Sequence, residues 1–387
     1  MQAFEIALWL AIGVVLYAYF GYGLVIAVVS RLCARPVAHS DALPHVTLLI
    51  AAYDEESVIG AKIENSLALD YPRDRLEILV VADGSRDGTC AVVERYAAQG
   101  VRLEYQSERR GKIHAVNRCV PLARGEVVVS SDANSMFARD SLRKLVRNFA
   151  DPKVALVAGE KRIARDDGTV SDGEGLYWRY ESWLKRLDSS VSSVMGAAGE
   201  IFAIRKACFA PPAPDSIIED FVLSMGLVAD GWRVVYEPEA ISLEEASPNA
   251  REEFKRKVRI CAGGWQAVIR LWPLLTPRYG LIAFQYVSHR VLRWVVVPFL
   301  LPLILLLNVA LASQAPYGVL LAGQLLFYVL SALGFALERH GRKWKPAYLP
   351  FYFCFLNVAA ILGAWRYWTR TQSVTWEKVR RAAPRHV

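Results

Sequence analysis

The sequence of 387 residues contains little charge. Charged side chains make up 22% of it and hydrophobic residues 54%, whereas soluble domains average about 25% charged and about 45–50% apolar residues. Disordered chains are poor in apolar residues, so the composition excludes a disordered scaffold. It also disfavours an ordinary soluble enzyme, because so much apolar surface needs an environment other than water.

Several sequence motifs are missing. No G-x-G-x-x-G follows the first predicted strand and no G-x-x-x-x-G-K-[ST] occurs, which disfavours a dinucleotide dehydrogenase and a P-loop ATPase. The six cysteines form no C-x-x-C pair and have no histidine at ligand spacing. We therefore expect buried, reduced thiols in place of a disulfide framework or a zinc site.

Four stretches contain no charged residue at all. They are residues 6–30, 294–312, 317–337 and 347–365. Each is long enough to cross a hydrocarbon layer of roughly 30 Å as a helix. The first is longer than the apolar core of a signal peptide and has no basic flank before it, so it predicts an uncleaved anchor.

The charges that flank these segments predict their orientation. Arg31 and Arg35 follow the anchor and, by the positive-inside rule, keep the next domain in the cytoplasm. The basic loop 338–345 is expected on the same side. A complete fourth crossing would then put the basic tail outside, against the rule. Either the 347–365 segment is re-entrant or interfacial, or the stretch 281–312 hides an extra crossing, or the charge bias is overridden.

The formal net charge of +8 comes from bases that cluster beside the apolar segments. This placement predicts contact with anionic membrane lipids and no binding of nucleic acid. We predict a multi-pass protein of the inner (plasma) membrane with a cytoplasmic catalytic domain. Its predicted regions are an N-terminal transmembrane anchor at 1–32, a cytoplasmic domain at 33–270, interfacial helices at 271–293, C-terminal transmembrane helices at 294–367 and a basic tail at 368–387.

In the central domain, apolar runs alternate with helix-like stretches. Strands are predicted at 45–52, 76–82, 102–105 and 126–131, and helices at 56–69, 87–99 and 112–123. This alternation predicts an α/β fold with a mostly parallel sheet covered on both faces. More irregular pieces follow, with a strand at 154–158, a helix at 176–187 and further elements at 198–205, 217–229 and 233–237.

Acidic side chains follow three of the predicted strands. Asp54, Asp83 and Asp132 each come directly after an apolar run. Because the carboxyl ends of parallel strands meet at one edge of a sheet, we expect these acids to lie close together there. Asp132 and Asn134 offer hard oxygen ligands at i and i+2, which suits Mg²⁺ or Mn²⁺ shared with the phosphates of a nucleotide.

The sequence strongly resembles the family 2 glycosyltransferases, which are membrane-bound inverting enzymes that use a nucleotide sugar. The resemblance covers about residues 46–266 and the C-terminal apolar segments. It rests on motifs in order and at matching spacing: L-L-I-A-A-Y-D-E-E, V-V-A-D-G-S-R-D-G-T, R-R-G-K-I-H-A-V-N-R and S-D-A-N. Alanine replaces a usual proline at position 51 and one of two frequent aspartates at position 82.

The resemblance implies a GT-A type nucleotide-sugar domain and a role for each motif. Tyr53, Glu55 and Asp83 would bind the donor, the last two on its base and ribose. Lys112 would lie near the donor phosphates. Asp132 would contact both the diphosphate and the metal, Mg²⁺ or Mn²⁺, with Asn134 as the second metal ligand.

A catalytic base is expected further along the chain. The sequence Ile218-Glu219-Asp220 resembles the family's E-D motif, in which the aspartate takes the proton of the acceptor hydroxyl. A sugar hydroxyl is a poor nucleophile at neutral pH, so the reaction needs such a base. By the same resemblance, Gly199 and Glu219 would lie on the acceptor side. An alternative is that Glu219 and Asp220 only cap the helix that follows.

The last family motif is altered. Processive synthases carry Q-x-x-R-W, whereas this chain has Arg256, Arg259 and Ile260 at the three defined positions. Arg259 is retained as a clamp on the departing diphosphate, and Trp265 is expected on the acceptor side. The changes put processive elongation in doubt, and a basic helix lying on the membrane explains this stretch as well.

The predicted function is transfer of a sugar from a UDP-sugar to a lipid-linked or growing glycan acceptor in cell-surface polysaccharide synthesis, with inversion at the anomeric carbon. One alternative is a processive synthase that elongates and extrudes its chain. Another, from a different class, is a non-catalytic subunit of a polysaccharide export complex. The partners expected are the UDP-sugar donor, the glycan or lipid-linked acceptor, membrane lipids and export proteins.

Overall fold

The computed structural model of the protein describes residues 1–164, 172–245, 249–342 and 344–374. Lys343 of the predicted cytoplasmic loop and the predicted basic tail beyond residue 374 lie outside the described residues. The chain forms two compact units. One contains residues 1–29 and most of the chain beyond residue 249, and we call it the helical unit. The other contains residues 30–164 and 178–245, and we call it the sheet unit.

The strands of the sheet unit form an eight-stranded mixed sheet within the described residues. They are β1 Val46–Ala52, β2 Leu76–Asp83, β3 Val101–Gln106, β4 Val127–Asp132, β5 Met136–Phe137, β6 Val154–Ala164, β7 Ile201–Arg205 and β8 Arg233–Glu245. The order is β3-β2-β1-β4-β7-β6-β8-β5. The first four strands of this order are parallel to one another, as the sequence predicts.

The second half of the sheet is less regular. Strand β7 runs antiparallel to both β4 and β6, and β5 runs antiparallel to β8, whereas β6 and β8 are parallel. Strands β6 and β8 extend well beyond the predicted 154–158 and 233–237. Their pairing continues after a register shift between Ala158 and Glu160, so charged residues that read as loop belong to the sheet.

The α-helices of the described residues can be given in chain order. They are α1 Gln2–Leu16, α2 Tyr22–Cys33, α3 Glu56–Leu67, α4 Thr89–Glu94, α5 Lys112–Cys119, α6 Ser141–Val146, α7 Asp172–Val191, α8 Glu219–Ala229, α9 Ala250–Arg270, α10 Leu281–Tyr286, α11 Val297–Leu311, α12 Ala315–Arg339 and α13 Lys345–Trp368. Two π-helical segments, Tyr17–Gly21 and Val287–Val296, join α1 to α2 and α10 to α11.

The core of the sheet unit explains why the central strands are uninterrupted apolar runs. On one face of the sheet, Leu48 and Ile50 of β1, Val80 of β2 and Val129 of β4 are fully buried and pack with Ile63 of α3 in one cluster. On the other face, Leu49 of β1 and Leu79 of β2 are also fully buried. A parallel sheet that is covered on both faces needs apolar side chains on both faces of each strand. The helices thus leave only the strand ends for polar groups.

Among its described residues, the helical unit contains four helical segments that are long and apolar enough to cross a membrane. They are Gln2–Cys33, Leu281–Leu311, Ala315–Arg339 and Lys345–Trp368, and they indicate a membrane protein. The segment Leu281–Leu311 is one continuous run of 31 residues. At about 1.5 Å per residue it is about 46 Å long, which is enough for one crossing and too short for two. The assignment of 271–293 to the membrane interface stays a prediction.

Two glycines allow close packing inside the helical unit. A Cβ added at Gly363 of α13 would lie 2.7 Å from Cβ of Cys261 in α9, and one added at Gly264 of α9 would lie 2.6 Å from the ring of Trp294. Real Cβ atoms do not approach this closely, so only glycine permits the contact. Helices α9 and α13 therefore pack with their backbones near each other.

Candidate active site

The candidate site lies at the carboxyl edge of the parallel strands. Ala51 of β1 pairs with Asp132 of β4, and Ala52 pairs with Ala82 of β2, so the three strands end side by side. The loops that follow them therefore begin at one edge, as expected from the sequence. The acids at these strand ends have different hydrogen-bond and ion-pair partners, so they are described one by one.

Asp83 holds the loop that precedes helix α5. Its carboxylate accepts hydrogen bonds from the backbone N–H of Arg110 at 3.1 Å and of Gly111 at 2.6 Å. Gly111 has a φ of +96°, a conformation that favours glycine, and α5 starts at the next residue. Asp83 is buried and thus fixes where Lys112 begins its helix. Its predicted contact with the donor base and ribose remains a prediction.

The loop after β1, which contains Tyr53, packs against the loops after β2 and β3. The guanidinium carbon of Arg109 lies 3.8 Å from the centre of the Tyr53 ring, the geometry of a cation–π contact. The backbone N–H of Glu55 donates to Thr89 Oγ1 at 2.8 Å, and Asp54 Oδ1 accepts from the N–H of Arg86 at 2.7 Å. Asp54 thus acts as a turn residue. Arg109, the first residue of the R-R-G-K motif, lies at the edge of the site, although the motif assigns a role only to Lys112.

Lys112 is the charged centre of the site. Its Nζ lies 2.6 Å from Asp132 Oδ1 and 3.7 Å from Glu219 Oε1, and it donates to the carbonyl oxygen of Gly199 at 3.5 Å. Burial by itself lowers the pKa of Lys112, but the charges of Asp132, Glu219 and Asp220 raise it well above its ordinary value. Lys112 therefore stays charged at any physiological pH.

Asp220 lies in the first turn of α8, beside the chain segment that contains Gly199. A Cβ added at Gly199 would lie 3.1 Å from Asp220 Oδ2 and 3.2 Å from Lys112 Nζ. Oδ1 of Asp220 accepts the N–H of Phe221 at 2.8 Å. The absence of a side chain at position 199 thus lets the carboxylate and the ammonium group approach the same backbone.

The environment of Asp220 raises its pKa to about 7. The main cause is burial, next to a small cavity lined by apolar side chains such as Phe202 and Leu223. The negative charge of Glu219 acts in the same direction, and Lys112 opposes it. A carboxylate with this pKa can accept a proton and release it again near neutral pH, as a general base must.

The segment 196–200, which we call the acceptor loop, is attached to α8. A Cβ added at Gly196, where φ is +98°, would lie 2.3 Å from the Phe221 ring. The N–H of Ala197 donates to Ser224 Oγ at 3.0 Å. These contacts place the predicted acceptor-side residue Gly199 and the predicted base Asp220 in one rigid local structure.

The predicted metal ligands occupy a turn directly after β4. The N–H of Ser135 donates to the Asp132 carbonyl at 3.2 Å and closes the turn that contains Asn134. No three His, Cys, Asp or Glu side chains among the described residues are grouped to hold a metal by themselves. One carboxylate and one amide oxygen fit Mg²⁺ or Mn²⁺ that takes its other ligands from phosphates and water. They do not fit a metal held entirely by protein.

The two remaining predicted residues lie in α9 of the helical unit. Arg259 is partly buried. Trp265 makes edge-on contacts with Trp368, at 5.9 Å between ring centres, and with Phe299, at 6.3 Å. These contacts give Trp265 a packing role, and its role on the acceptor side stays a prediction.

Comparisons with known proteins give consistent matches. The model of a family described as "Glycosyltransferase like family 2" matches residues 44–267, more than half of the chain. The chain is similar to poly-beta-1,6-N-acetyl-D-glucosamine synthase of Staphylococcus aureus (strain COL), with 26% identity over 275 residues, 69% of this chain and 66% of the relative. It is also similar to beta-monoglucosyldiacylglycerol synthase of Synechocystis sp., with 28% identity over 255 residues, 62% of this chain and 52% of the relative. The matches thus span less than two thirds of the length of either relative.

A solved structure is similar over nearly the whole chain. It is the mannosyltransferase PcManGT from Pyrobaculum calidifontis in complex with GDP-Man and Mn²⁺. The TM-score is 0.71 at 25% identity, and the match covers 95% of this chain and 100% of that one.

Proposed function

The chain belongs to the glycosyltransferase-like family 2, and we propose on this basis that it transfers a sugar from a UDP-sugar to a lipid-linked or growing glycan acceptor, with inversion, in cell-surface polysaccharide synthesis. The family, the α/β GT-A fold and the glycosyltransferase class predicted from the sequence are confirmed. The donor, the acceptor, the inner membrane and the cytoplasmic orientation belong to the proposal.

The observation that carries the proposal is the arrangement of Asp132, Lys112 and Asp220 around Gly199. A carboxylate that suits a metal, through which a diphosphate would bind, lies 2.6 Å from the Lys112 ammonium group. The same ammonium group is close to a second carboxylate whose pKa is raised to about 7. One side thus suits a leaving diphosphate, and the other suits an acceptor hydroxyl that must lose its proton.

In the proposed reaction, Asp220 accepts the proton of the acceptor hydroxyl while the hydroxyl oxygen bonds to the anomeric carbon. The bond from that carbon to the diphosphate breaks, and its electron pair leaves with the UDP. Lys112 is proposed to stabilise the negative charge that develops on the diphosphate. A clamp role for Arg259 on the departing diphosphate rests on the family resemblance alone. A divalent metal on Asp132 and Asn134 would offset part of the diphosphate charge when bound. A single carboxylate without a covalent partner gives inversion, so an α-linked donor yields a β-linked product.

The remaining predicted residues are assigned to the two sides of the site by the family resemblance. Tyr53 and Glu55 are assigned to the donor side, where the Tyr53 ring is stacked against the Arg109 guanidinium. Glu219 and Trp265 are assigned to the acceptor side together with Gly199. Relatives named as a poly-N-acetylglucosamine synthase and a glucolipid synthase support a glycan or lipid acceptor.

The proposal is tested with membranes that contain the full chain. They are incubated with labelled UDP-N-acetylglucosamine, UDP-glucose, UDP-galactose or GDP-mannose, with Mg²⁺ or Mn²⁺, and the products are separated into lipid and polymer fractions. We include GDP-mannose because the structural neighbour binds it. Label in either fraction that depends on a UDP-sugar supports the proposal. Transfer only from GDP-mannose, or from no donor, would contradict it.

The base assignment needs a matched pair of variants. Asp220→Asn removes the proposed base, whereas Asp230→Asn makes the same change at an exposed residue just after the other end of α8. Asp220→Asn is expected to lower transfer at least about a hundredfold, and Asp230→Asn is expected to leave it unchanged. Retained transfer by the Asp220 variant would disprove the role of the base.

A second candidate function is processive synthesis. The name of the staphylococcal relative favours it, whereas the altered Q-x-x-R-W stretch disfavours it. Product length separates the two: single additions to a lipid acceptor support one transfer per acceptor, and a ladder of long polymers supports a processive synthase.

A further inference from the structure

A lysine lies completely buried beneath the turn that contains Asp132. Lys62 of α3 has no exposed surface. Its Nζ donates to the carbonyl oxygen of Ser135 and lies 3.9 Å from the centre of the Phe137 ring. Asn65, one turn further along α3, binds both the N–H and the C=O of Phe137, at 2.9 and 3.0 Å. Helix α3 is thus hydrogen-bonded to the segment 135–137 on the buried side of that segment.

Ser135 connects this lysine to the acceptor loop. Its Oγ donates to Glu244 Oε1 of β8 at 2.7 Å. The other oxygen of Glu244 is paired with Lys161 of β6, and Lys161 Nζ lies 2.7 Å from Glu200 Oε1. The contacts therefore run in an unbroken series from Lys62 through Ser135, Glu244 and Lys161 to Glu200, which we call the buried relay.

Burial of these charged groups costs free energy that a buried apolar side chain would not cost. Their presence therefore needs an explanation that an apolar side chain could not supply. Burial lowers the pKa of Lys62 to about 7, opposed by the charges of Asp132 and Glu244. Burial, with Glu200, raises the pKa of Glu244, opposed by Lys161. Well-packed apolar residues in place of such groups are often neutral or stabilising. What Lys62 adds is a directed bond to one backbone carbonyl.

The turn held by that bond is the one that carries the metal and diphosphate ligands. The N–H of Ser135 donates to the Asp132 carbonyl, so the residue that Lys62 anchors also closes the turn. The far end of the relay is Glu200, adjacent to Gly199 in the acceptor loop. Thus one set of buried contacts is attached to both sides of the candidate site.

We propose that Lys62 is a positioning residue that, through the buried relay, fixes the Asp132–Asn134 turn relative to the acceptor loop. The proposal rests on the proposed function for its consequence, because a displaced turn would hold the donor diphosphate poorly. Its structural part, the rigidity of the turn, does not depend on any activity.

The test compares Lys62→Met with Ile63→Val in the full chain in detergent. Methionine fills a similar volume without a donor. Ile63 is a fully buried neighbour on α3, and its loss of a methylene destabilises the same helix without touching Ser135. Hydrogen–deuterium exchange of residues 133–137 and 199–201 is measured without ligand, and the affinity for UDP with Mn²⁺ is measured by calorimetry.

We expect Lys62→Met to speed exchange in 133–137 severalfold and to weaken Mn²⁺-dependent UDP binding about tenfold, a size typical when a metal ligand loses its supporting partner. Ile63→Val should change neither the exchange nor the UDP affinity, even where its loss of Tm equals or exceeds that of Lys62→Met. Equal exchange in the two variants would overturn the proposal. If Lys62→Met fails to fold, Ser135→Ala breaks the next contact, and wild-type exchange and UDP affinity in that variant would overturn it.

The outcomes separate this proposal from the proposed function. If wild-type membranes transfer no sugar but Lys62→Met still loosens residues 133–137 and not the control, the proposed function fails and the positioning role stands. If the wild type transfers sugar and Lys62→Met matches it in kcat, donor KM and exchange, only the positioning role fails.

Discussion

A Cβ placed on Gly199 would lie 3.1 Å from Oδ2 of Asp220, tighter than most real Cβ contacts. The position has no left-handed backbone that would by itself demand glycine, because Gly199 is not among the residues with positive φ. The requirement at this position is therefore space beside the proposed base.

Gly199→Ala should displace the Asp220 carboxylate and the Lys112 ammonium group by a few tenths of an ångström. We expect sugar transfer to fall about tenfold to a hundredfold, since catalysis depends on placement at that scale, with little change in Tm. Gly226→Ala in α8 is the control, because nothing lies within 4 Å of its new methyl group. That control should keep full activity and gain stability through better helix propensity. Equal activity in both variants would contradict the prediction.

The raised pKa of Asp220 predicts a pH dependence of kcat/KM. The base must be ionised, so kcat/KM should fall about tenfold for each pH unit below about pH 7 and level off above it. The measurement is the initial rate at low donor concentration in membranes, with Tm recorded at each pH to exclude unfolding. A rate that does not change from about pH 5.5 to about pH 8 would show that another group is the base.

The same pKa predicts how Asp220 affects stability. Because the folded pKa, about 7, lies above the ordinary aspartate value of 3.8, the folded state holds an extra proton between these pH values. The contribution of Asp220 to stability is therefore present at low pH and is lost as the pH rises to about 7. Asp220→Asn, which stays neutral, should have a higher Tm than the wild type at about pH 8 and a smaller advantage at about pH 4. Thermal unfolding in detergent at both pH values checks this, with Asp230→Asn as the control.

The close contact of Gly363 in α13 with α9 predicts that a larger residue at this position destabilises the helical unit. Gly363→Val would force a side chain against Cβ of Cys261 and should lower the Tm of the detergent-solubilised protein by several degrees. Gly323→Val, in α12, is the control because nothing lies within 4 Å of an added Cβ there. Equal Tm values for both variants would contradict the prediction, because they would mean that α9 and α13 can move apart with little loss of stability.

The strands that carry the site could be predicted from the sequence for a simple physical reason. Strands β1, β2 and β4 are buried on both faces, so they appear as continuous apolar runs, and their polar ends mark the edge where ligands bind. The same reasoning places Asp83, Asp132 and Asn134 at that edge. The roles of these residues remain predictions.

The second half of the sheet could not be predicted in the same way. Strand β8 continues through Pro238 and several charged residues, and β5 is two residues long, so neither shows an apolar pattern. These segments are strands because they pair with strands that are distant in the sequence. Local residue types do not contain that information.

The buried relay was likewise hidden from sequence reasoning. A lysine in a helix usually lies in solvent, and nothing adjacent to Lys62 marks it as fully buried. Its environment comes from Ser135 and Phe137, more than 70 residues away. The contact of Arg109 with Tyr53 could not be predicted for a related reason, since it joins two loops.

The continuous helical segment Leu281–Leu311 also bears on the bilayer itself. A rod of about 46 Å exceeds a hydrocarbon layer of roughly 30 Å by about ten residues, so it must either tilt strongly or project into the headgroup layer. Arg290 and Arg293 lie in its first half. Arg290 faces the ring of Trp294 at 5.7 Å, whereas Arg293 Nε donates to the carbonyl oxygen of Ala18 at 3.1 Å. Such side chains are stable among lipid phosphates and costly among acyl chains. Thicker or thinner bilayers should therefore change the tilt of this segment while Arg290 stays at headgroup depth.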